Sequence, residues 1–449
     1  MMENKVETGS QSSADEGGAA DNVEVQGVEH LQRARLGDSY WQGKRKGFIM
    51  PMVMMGVVIL LVFMMIMSNF FGSAFQQDSR VKAINILAVD YDGGVIGTSF
   101  ASAYDELKAD SFPTIEFRSA SEFPDADSIR NAVCRGDYWA GTYVPPNASK
   151  KLSDALKGGD AAANYSLSSA FTYIYNDIRY PTVAEGFLTP NLQSWIGAAR
   201  AAYYQTSGST ALSEINQTDA ASLAAYLDPI TYNADLIQTT TQGSRVYYNT
   251  AYMVPPCLAP FFLIMALNGI SLAKDVFTHL SIRDVWLLRF TIGKCYTFVG
   301  SLAFAGYLWA FRENWDVDGR KFVLTWMVMW LDLEVNWVIM ESLIASYIPL
   351  AFVAVFVVSW VMVNVASAVF PFVLSAGWFR WGYMLPAHET YVTLIYVWSG
   401  CASPLRYSLP IMFSWLVLGH VTAFFSIRKR CVDTHDMLRA TLAGKYNIE

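Results

Sequence analysis

The stretch that decides the fold runs from Tyr347 to Pro386 and reads YIPLAFVAVFVVSWVMVNVASAVFPFVLSAGWFRWGYMLP. Its first thirty residues, up to Ala376, carry no charged side chain. A helix rises about 1.5 Å per residue, so about 20 apolar residues cross the hydrocarbon core of a bilayer. The stretch therefore predicts a membrane helix, which should end near Pro371 because proline lacks the N–H that a continuing helix needs. The aromatic and basic cluster at 378–383 is typical of the membrane–water boundary.

The composition of the 449-residue chain is that of an integral membrane protein, and the lipid bilayer is its first partner. Hydrophobic residues make up 53% and charged residues only 16%, which is too apolar for an ordinary soluble domain. The net charge of -7 comes partly from an acidic head, and no basic stripe predicts a nucleic-acid partner. The sequence contains no GxxxxGK[ST] loop, so it encodes no recognisable nucleotide-binding motor. No nucleophile, base and orienting group stand at a recognisable spacing, so we expect neither an enzyme nor a cofactor.

Six apolar segments predict six membrane helices, one before and five after a long polar region. The first, at residues 44–67, opens with Lys44, Arg45 and Lys46, which hold the N-terminus in the cytosol by the positive-inside rule. It lacks a small-residue cleavage site, so we interpret it as a retained anchor rather than a signal peptide. The other five segments lie within residues 251–430, at 251–273, 290–311, 322–345, 347–371 and 409–427.

Both ends of the chain are predicted to lie in the cytosol. Residues 1–43 are rich in Gly, Ser, Asp and Glu and cannot bury enough apolar surface to fold, which predicts a disordered acidic head. Six spans also place residues 431–449 in the cytosol as a tail. The basic residues that follow the second and sixth segments agree with this orientation.

The polar region, residues 68–250, predicts a large non-cytosolic domain of mixed α/β type. Its patterns predict strands at 83–89, 114–118 and 138–144 and helices at 98–108 and 126–134. Residues 182–242, rich in Ala, Leu and Gln, predict a mostly helical stalk back to the membrane. The three N-x-S/T sequons of the sequence all fall in this region, at Asn147, Asn164 and Asn216, which predicts a glycosylated, exposed surface.

Several of these segments together resemble the fungal nitrosoguanidine-resistance membrane-protein family. The motifs are VDYDG at 89–93, YWAGTYVPPNAS at 138–149, YIYNDIRY at 173–180, WVMVNVASAVFPFVL at 360–374 and FRWGYMLP at 379–386. The resemblance covers roughly residues 40–430. It implies one N-terminal span, a large non-cytosolic domain and a group of C-terminal spans similar to the membrane half of type-two ABC exporters. It also implies export of toxic small molecules or a change in membrane properties.

Acidic residues in the fourth apolar segment are the main candidates for a transport path. A carboxylate near the bilayer centre costs about 2.5–3.5 kcal/mol on insertion scales, and such residues usually face a bundle interior or an aqueous cavity. Helical spacing places Asp332 and Asn336 on one face, and Glu334 with Glu341 on another. Asp332 and Glu334 either bind a proton or a cationic substrate, or pair structurally with polar groups of neighbouring spans.

Other polar residues of the spans have a simpler interpretation. Lys294 and Glu341 should both lie toward the cytosol, which predicts a structural ion pair between them. Asn268, Asn364 and His420 are further buried candidates, and a lone Asn in a membrane helix more often bonds to a neighbouring helix, for about 0.6 kcal/mol, than it binds a substrate. We retain Asn364 and His420 with Asn336 as transport-path candidates.

Two further motifs point to structure rather than chemistry. Asp90 and Asp92 follow an apolar strand at the spacing of a phosphatase nucleophile loop, but Asp and Gly are also what a strand-ending turn requires, and we favour the turn. His388, Glu389 and Cys401 match no tetrahedral zinc pattern, so no metal site is predicted. Cys134 and Cys401 should share the oxidising side and could pair, but a sequence does not give the distance between them.

The sequence thus predicts an α-helical polytopic membrane protein with six transmembrane helices, arranged one plus five around a non-cytosolic α/β domain. We expect it in the plasma membrane or the secretory pathway, conferring resistance to toxic small molecules as a transporter or a component of one. The alternatives are a scaffold or receptor whose exterior domain recruits secreted or surface proteins, and a regulator of membrane lipid distribution. Membrane or secreted protein partners and self-association remain open.

Overall fold

The computed structural model describes Gly37, residues 39–165 and residues 170–446. Contacts divide the chain into a unit Met1–Val58 and a unit Ile59–Glu449. Most of the predicted disordered head, residues 1–43, lies outside the described residues, and Ser39–Trp41 forms one turn of 3-10 helix. Helix α1, Lys44–Ala74, begins where the first span was predicted and continues past its predicted end at residue 67.

The polar region folds into an α/β domain. Its elements are β1 Asn85–Asp90, α2 Val95–Leu107, β2 Thr114–Arg118, α3 Ala126–Arg135, β3 Ala140–Val144, α4 Ala148–Leu156, α5 Asp160–Tyr165, β4 Phe171–Asn176, α6 Pro181–Val183, α7 Thr189–Glu214, α8 Ala220–Leu227 and β5 Tyr232–Ile237. The predicted helical stalk is wrong at its end, because residues 232–237 form β5. Asn and Asp are poor strand formers, and this strand exists because it pairs with β4 along its whole length.

The five strands form one mixed sheet in the order β2-β1-β3-β4-β5. Strand β1 is parallel to both β2 and β3, β3 and β4 are antiparallel, and β5 is parallel to β4. Helices α2 and α7 pack together on one face, where the ring of Phe100 lies 4.2 Å from Phe171 and 5.1 Å from Trp195. Helix α3 covers the other face through Ile129 and Val133. The central strands β1, β3 and β4 are therefore buried on both sides, whereas the edge strands β2 and β5 are partly exposed.

The remainder of the chain is a helical bundle. Its helices are α9 Pro255–Ala273, α10 Val276–His279, α11 Ile282–Ala310, α12 Gly319–Leu343, α13 Leu350–Val369, α14 Pro386–Ser399 and α15 Leu405–Tyr446. As predicted from Pro371, α13 ends at Val369. The central helix is α12, which packs against α9, α11, α14 and α15. The polar residues of the bundle therefore converge on α12.

Helix α14 re-enters the bundle instead of crossing it. Near its start, the N–H of Ala387 donates to the side-chain oxygen of Asn364, five residues inside the end of α13 (3.0 Å). At its other end, the indole N–H of Trp398 donates to Thr325, near the beginning of α12 (2.9 Å). Helix α14 thus begins inside the bundle and rises, antiparallel to α12, toward the α/β domain.

Five helices in the described part of the chain have the length and hydropathy of membrane spans. They are Lys44–Ala74, Ala251–Ala273, Gly319–Leu343, Leu350–Val369 and Leu405–Ala443. Helix α11, predicted as a span at 290–311, is also long but is not among the five. It begins eight residues earlier than predicted, because the hydroxyl of Ser281 caps it by accepting the N–H of Asp284 (3.2 Å).

A disulfide bond joins the α/β domain to the bundle. It links Cys134, near the end of α3, to Cys401 in the turn between α14 and α15, with Cα atoms 4.6 Å apart. Beside it, the N–H of Ala402 donates to the carbonyl oxygen of Cys134 (2.6 Å). The pairing that the sequence left open is therefore formed, and it fixes the turn at one end of the bundle against the domain.

Candidate functional site

A cavity of about 770 Å³ lies between α12, α14 and α15. It extends from Lys321 at the domain end of α12 to Glu334, a distance of about 20 Å at 1.5 Å per residue. Its wall is mostly apolar and is formed by Leu324, Val328, Leu331, Val397, Leu409, Phe413 and Leu416. A large apolar cavity with a few convergent polar groups is the usual form of a small-molecule site.

The inner end of this cavity is formed by a buried ion pair. The ammonium group of Lys294 on α11 contacts the carboxylate of Glu334 on α12, which also accepts the hydroxyl of Thr297. Lys294 also donates to Nε2 of His420 on α15 (3.1 Å), since an ammonium group has no acceptor. The Lys294 side chain is 28% exposed and that of Glu334 only 4%, so the lysine is the member that a ligand could reach.

The predicted pairing of Lys294 with Glu341 is wrong. Glu341 instead accepts two hydrogen bonds from Arg289, both 2.7 Å, and lies 3.5 Å from Arg430. Helices α11 and α12 are antiparallel, so the residue opposite Glu341 is five positions before Lys294. From the sequence, Arg289 was expected at the edge of the membrane. Helix α11 instead begins at Ile282, so Arg289 lies inside the bundle.

The second cluster closes the bundle at the end away from the domain. The side-chain oxygen of Asn268 on α9 accepts hydrogen bonds from both Arg289 and Arg430, each 2.8 Å. Arg430 also donates to the carbonyl oxygen of Ile344 (2.9 Å). Both arginines were missed from the sequence, because they were treated as charges of loops. Asn268, a polar residue at the same end of the bundle, was the signal that could have indicated a polar cluster there. The four side chains tie together α9, α11, α12 and α15.

A small space separates the two charged clusters. It has a volume of about 20 Å³ and is lined by Lys294, Glu334, Glu341, His420 and Arg289. The Nη1 atom of Arg289 has no hydrogen-bond partner among the described residues. A space of this size holds about one water molecule. This space touches charged residues of both clusters, and the rest of its lining is apolar, with Phe290, Trp337 and Val338 among the residues between them.

Asp332 and Asn336 lie on the opposite face of α12, as helical spacing predicted, and the remaining transport-path candidate, Asn364, lies on α13. The side-chain amide of Asn336 donates to the carboxyl group of Asp332 (3.2 Å), and its oxygen accepts the indole N–H of Trp360 (2.9 Å). The side-chain oxygen of Asn364 accepts the N–H of Ala387 at the start of α14. The structure thus brings Glu334 and His420 together at the cavity and places Asp332, Asn336 and Asn364 elsewhere.

The other candidates have structural surroundings. Asp90 accepts the N–H groups of Asp92 and Gly93 (2.9 and 3.1 Å) in the turn that was favoured from the sequence. Cys401 is bonded to Cys134, and a ring nitrogen of His388 lies 3.1 Å from the carbonyl oxygen of Ser367. The three sequon residues, whose glycosylation remains a prediction, are exposed on the α/β domain: Asn147, Asn164 and Asn216.

We expect charge reversal to distinguish the two pairings of Lys294. Lys294→Glu alone places two carboxylates together in a buried site and should cost at least about 3–5 kcal/mol, the range for breaking a buried pair. Adding Glu334→Lys should restore the amount of folded protein, measured by fluorescence-detected gel filtration of a tagged chain. Adding Glu341→Lys should not restore it. If Glu341→Lys restored the folded protein in the Lys294→Glu background and Glu334→Lys did not, the pairing of Lys294 with Glu334 would be incorrect.

Comparisons with known proteins agree with a membrane protein. A profile of the family described as "Protein of unknown function (DUF3533)" matches residues 55–421. The chain is also similar to the "Uncharacterized endoplasmic reticulum membrane protein YJR015W" of Saccharomyces cerevisiae. The two are 22% identical over 383 residues, which cover 78% of this chain and 73% of the yeast protein. No solved structure matches the chain significantly.

Proposed function

The chain belongs to the DUF3533 family, and from this premise we propose that it is a membrane transporter, or a component of one, for amphipathic small molecules. The observation that carries the proposal is the cavity of about 770 Å³ that ends at the buried Lys294–Glu334 pair. A bundle that served only as an anchor would have no need for a large cavity ending at buried charges. The resemblance to the nitrosoguanidine-resistance family favours toxic compounds as substrates.

The lining of the cavity supports an amphipathic ligand. Its apolar wall suits an apolar body, and both ends offer polar groups. At the domain end these are Asp318, Arg320 and Lys321, and Arg320 is exposed and forms no hydrogen bond or ion pair with any described residue. A membrane lipid has the same chemistry, so lipid distribution is retained as a second function that this cavity favours.

The two charged clusters suggest how access would alternate. The cavity reaches Asp318 and Lys321 at the domain end, and the arginine cluster closes the other end of the bundle through Glu341. A substrate that displaced Lys294 from Glu334 would disturb the residues between the clusters. We propose that opening of the far end requires separation of Glu341 from Arg289, so that only one end is open at a time.

Contacts of the loops support six spans with both termini in the cytosol. The connection between α11 and α12 lies against the α/β domain, where the side-chain amide of Gln238 donates to the carbonyl oxygen of Asp316 (2.9 Å). The start of α11 lies at the opposite end, where Arg289 meets Arg430. Helix α11 would therefore be the sixth span, less apolar than the others because α12 and α15 cover its polar face.

The location we propose is a membrane of the secretory pathway, with the α/β domain on the lumenal or outer side. Disulfide bonds persist in oxidising compartments, and the Cys134–Cys401 bond joins the domain to the same end of the bundle. The similarity to a yeast endoplasmic reticulum membrane protein favours that organelle over the plasma membrane. Glycosylation at the three sequons would be consistent with this orientation.

Filling the cavity is expected to abolish ligand binding. Leu331→Trp on α12 together with Leu416→Trp on α15 adds two indole rings to facing walls of the cavity. With a panel of cationic, anionic and neutral fluorescent amphiphiles, the purified double variant should bind the best ligand at least about tenfold more weakly than wild type. Fluorescence anisotropy measures this affinity.

The matched control places the same rings outside the cavity. Val323 on α12 and Val417 on α15 are 48% and 63% exposed and do not line it. The Val323→Trp, Val417→Trp variant should keep the wild-type affinity. If both double variants bind equally well, the ligand does not occupy this cavity and the proposal fails.

A further inference from the structure

Asp332 differs from the other two carboxylates buried on α12. Glu334 contacts a lysine and Glu341 contacts two arginines. Asp332 is only 2% exposed, yet no Lys, Arg or His in the described part of the chain forms an ion pair with it. Because it also lies outside the lining of the large cavity, the roles proposed for Lys294 and Glu334 do not explain it.

The groups around Asp332 are neutral. On its own helix, Asn336 donates one hydrogen bond of 3.2 Å to the carboxyl group. On α14, the hydroxyl of Thr390 faces Asp332 without closing a hydrogen bond of ordinary geometry. Two further titratable groups face it, the phenol of Tyr252 just before α9 and the thiol of Cys257 on α9. Neither of these carries a positive charge.

The helices on the other side of α12 do not supply a cation either. Lys294 of α11 and His420 of α15 contact each other at Glu334. Helix α13 contributes the indole of Trp360, which bonds to Asn336. Lys294 and His420 are thus both committed to Glu334, on the opposite face of α12.

The magnitudes favour a neutral carboxyl group. An ion moved into a protein interior costs several kcal/mol, and an isolated buried carboxylate is usually neutralised by a proton instead. The start of α14 can offset only a small part of this cost through its helix dipole. The carboxyl group of Glu389 lies in the same first turn. A negative charge there would oppose the stabilisation of an ionised Asp332 by the dipole. A protonated Asp332 would also have an O–H to donate to Thr390.

We propose that Asp332 is a proton-binding site, covered by the re-entrant helix α14. Its carboxyl group carries a proton in this conformation and releases it when α14 moves away and water reaches the site. The start of α14 is suited to such a movement, because it follows a 3-10 helix, Gly377–Met384, and lies away from the end that the Cys134–Cys401 bond fixes. The proposal does not depend on a ligand in the large cavity, because Asp332 lies outside it.

Infrared spectroscopy of the purified full-length protein tests the proposal. At neutral pH a protonated carboxylic acid gives a C=O stretching band that shifts in D2O, whereas an exposed carboxylate gives none. Wild type should show the band. Asp332→Asn should lose the component of the band that Asp332 contributes, and Glu334→Gln and Glu341→Gln should keep it, because those two residues are ion-paired.

Glu389 is another buried acid that forms no ion pair with the described residues. The Glu389→Gln variant therefore distinguishes the infrared band of Asp332 from any band of Glu389. The Asp332 band should persist in this variant, so the result does not depend on the folding of Asp332→Asn. A wild-type protein without the band would overturn the proposal, and so would a band that disappears in Glu389→Gln. Sodium-dependent thermal stabilisation that Asp332→Asn abolishes would also overturn it, because that outcome identifies a metal cation as the bound ion.

Discussion

Replacement of Glu341 by alanine is expected to produce the largest loss of stability in the bundle. The change leaves the buried guanidinium groups of Arg289 and Arg430, 1% and 5% exposed, without a counter-charge. Breaking a buried pair by removing one partner typically costs about 3–5 kcal/mol, and here two partners are left. We expect little folded protein after detergent extraction, and a much lower midpoint of thermal unfolding for whatever is recovered.

The exposed pair on α15 provides the control. Lys429 contacts Asp433 one turn later, with side chains 43% and 51% exposed, and such a pair contributes about 0.3–0.5 kcal/mol. Asp433→Ala should therefore leave the unfolding midpoint almost unchanged. If Glu341→Ala and Asp433→Ala unfold at the same temperature, the arginine cluster does not hold the bundle together.

Loss of the Cys134–Cys401 disulfide is expected to have the second largest effect. The bond closes a loop with a sequence separation of 267 residues, and removing a native disulfide typically costs about 2–5 kcal/mol. Cys134→Ser and Cys401→Ser should each lower the unfolding midpoint, and the double variant should fall no further. The measurement is thermal unfolding with and without a reductant.

The free cysteine Cys295 gives a matched control, because it is exposed and unbonded. Cys295→Ser should unfold like wild type, and a reductant should lower its midpoint as much as it lowers that of wild type. The two disulfide variants should be insensitive to the reductant. A wild-type protein that is equally insensitive and shows a labelled Cys134 thiol without reduction would contradict the bond.

The sequence predicted those features that depend on local physical chemistry. The end of α13 follows from Pro371, and the strand at 114–118 follows from its apolar pattern. The two polar faces of α12 follow from a period of 3.6 residues, since Asp332 and Asn336 contact each other while Glu334 and Glu341 both face α11. Each of these inferences needs only neighbours along the chain.

The features that were missed depend on contacts between distant segments. Strand β5 has a weak local preference and is specified by β4, and the partner of Lys294 depends on the register of two antiparallel helices. The sequence at the end of an apolar segment is the same whether its charged residues face water or form ion pairs inside the bundle. Arg289 and Arg430 were therefore treated as loop residues. The re-entrant course of α14 likewise depends on Asn364 and Thr325, which lie far away in sequence.

Transport by the reconstituted protein tests the central claim most directly. Proteoliposomes with wild type, Leu331→Trp with Leu416→Trp, or Val323→Trp with Val417→Trp would be loaded with the tightest-binding fluorescent amphiphile. Its movement would be followed with and without a proton uncoupler. We predict transport by wild type and by the exposed-face variant, and at least about tenfold slower transport by the cavity variant. Equal rates in all three, matching protein-free liposomes, would contradict a transport function and direct attention to the α/β domain as a scaffold.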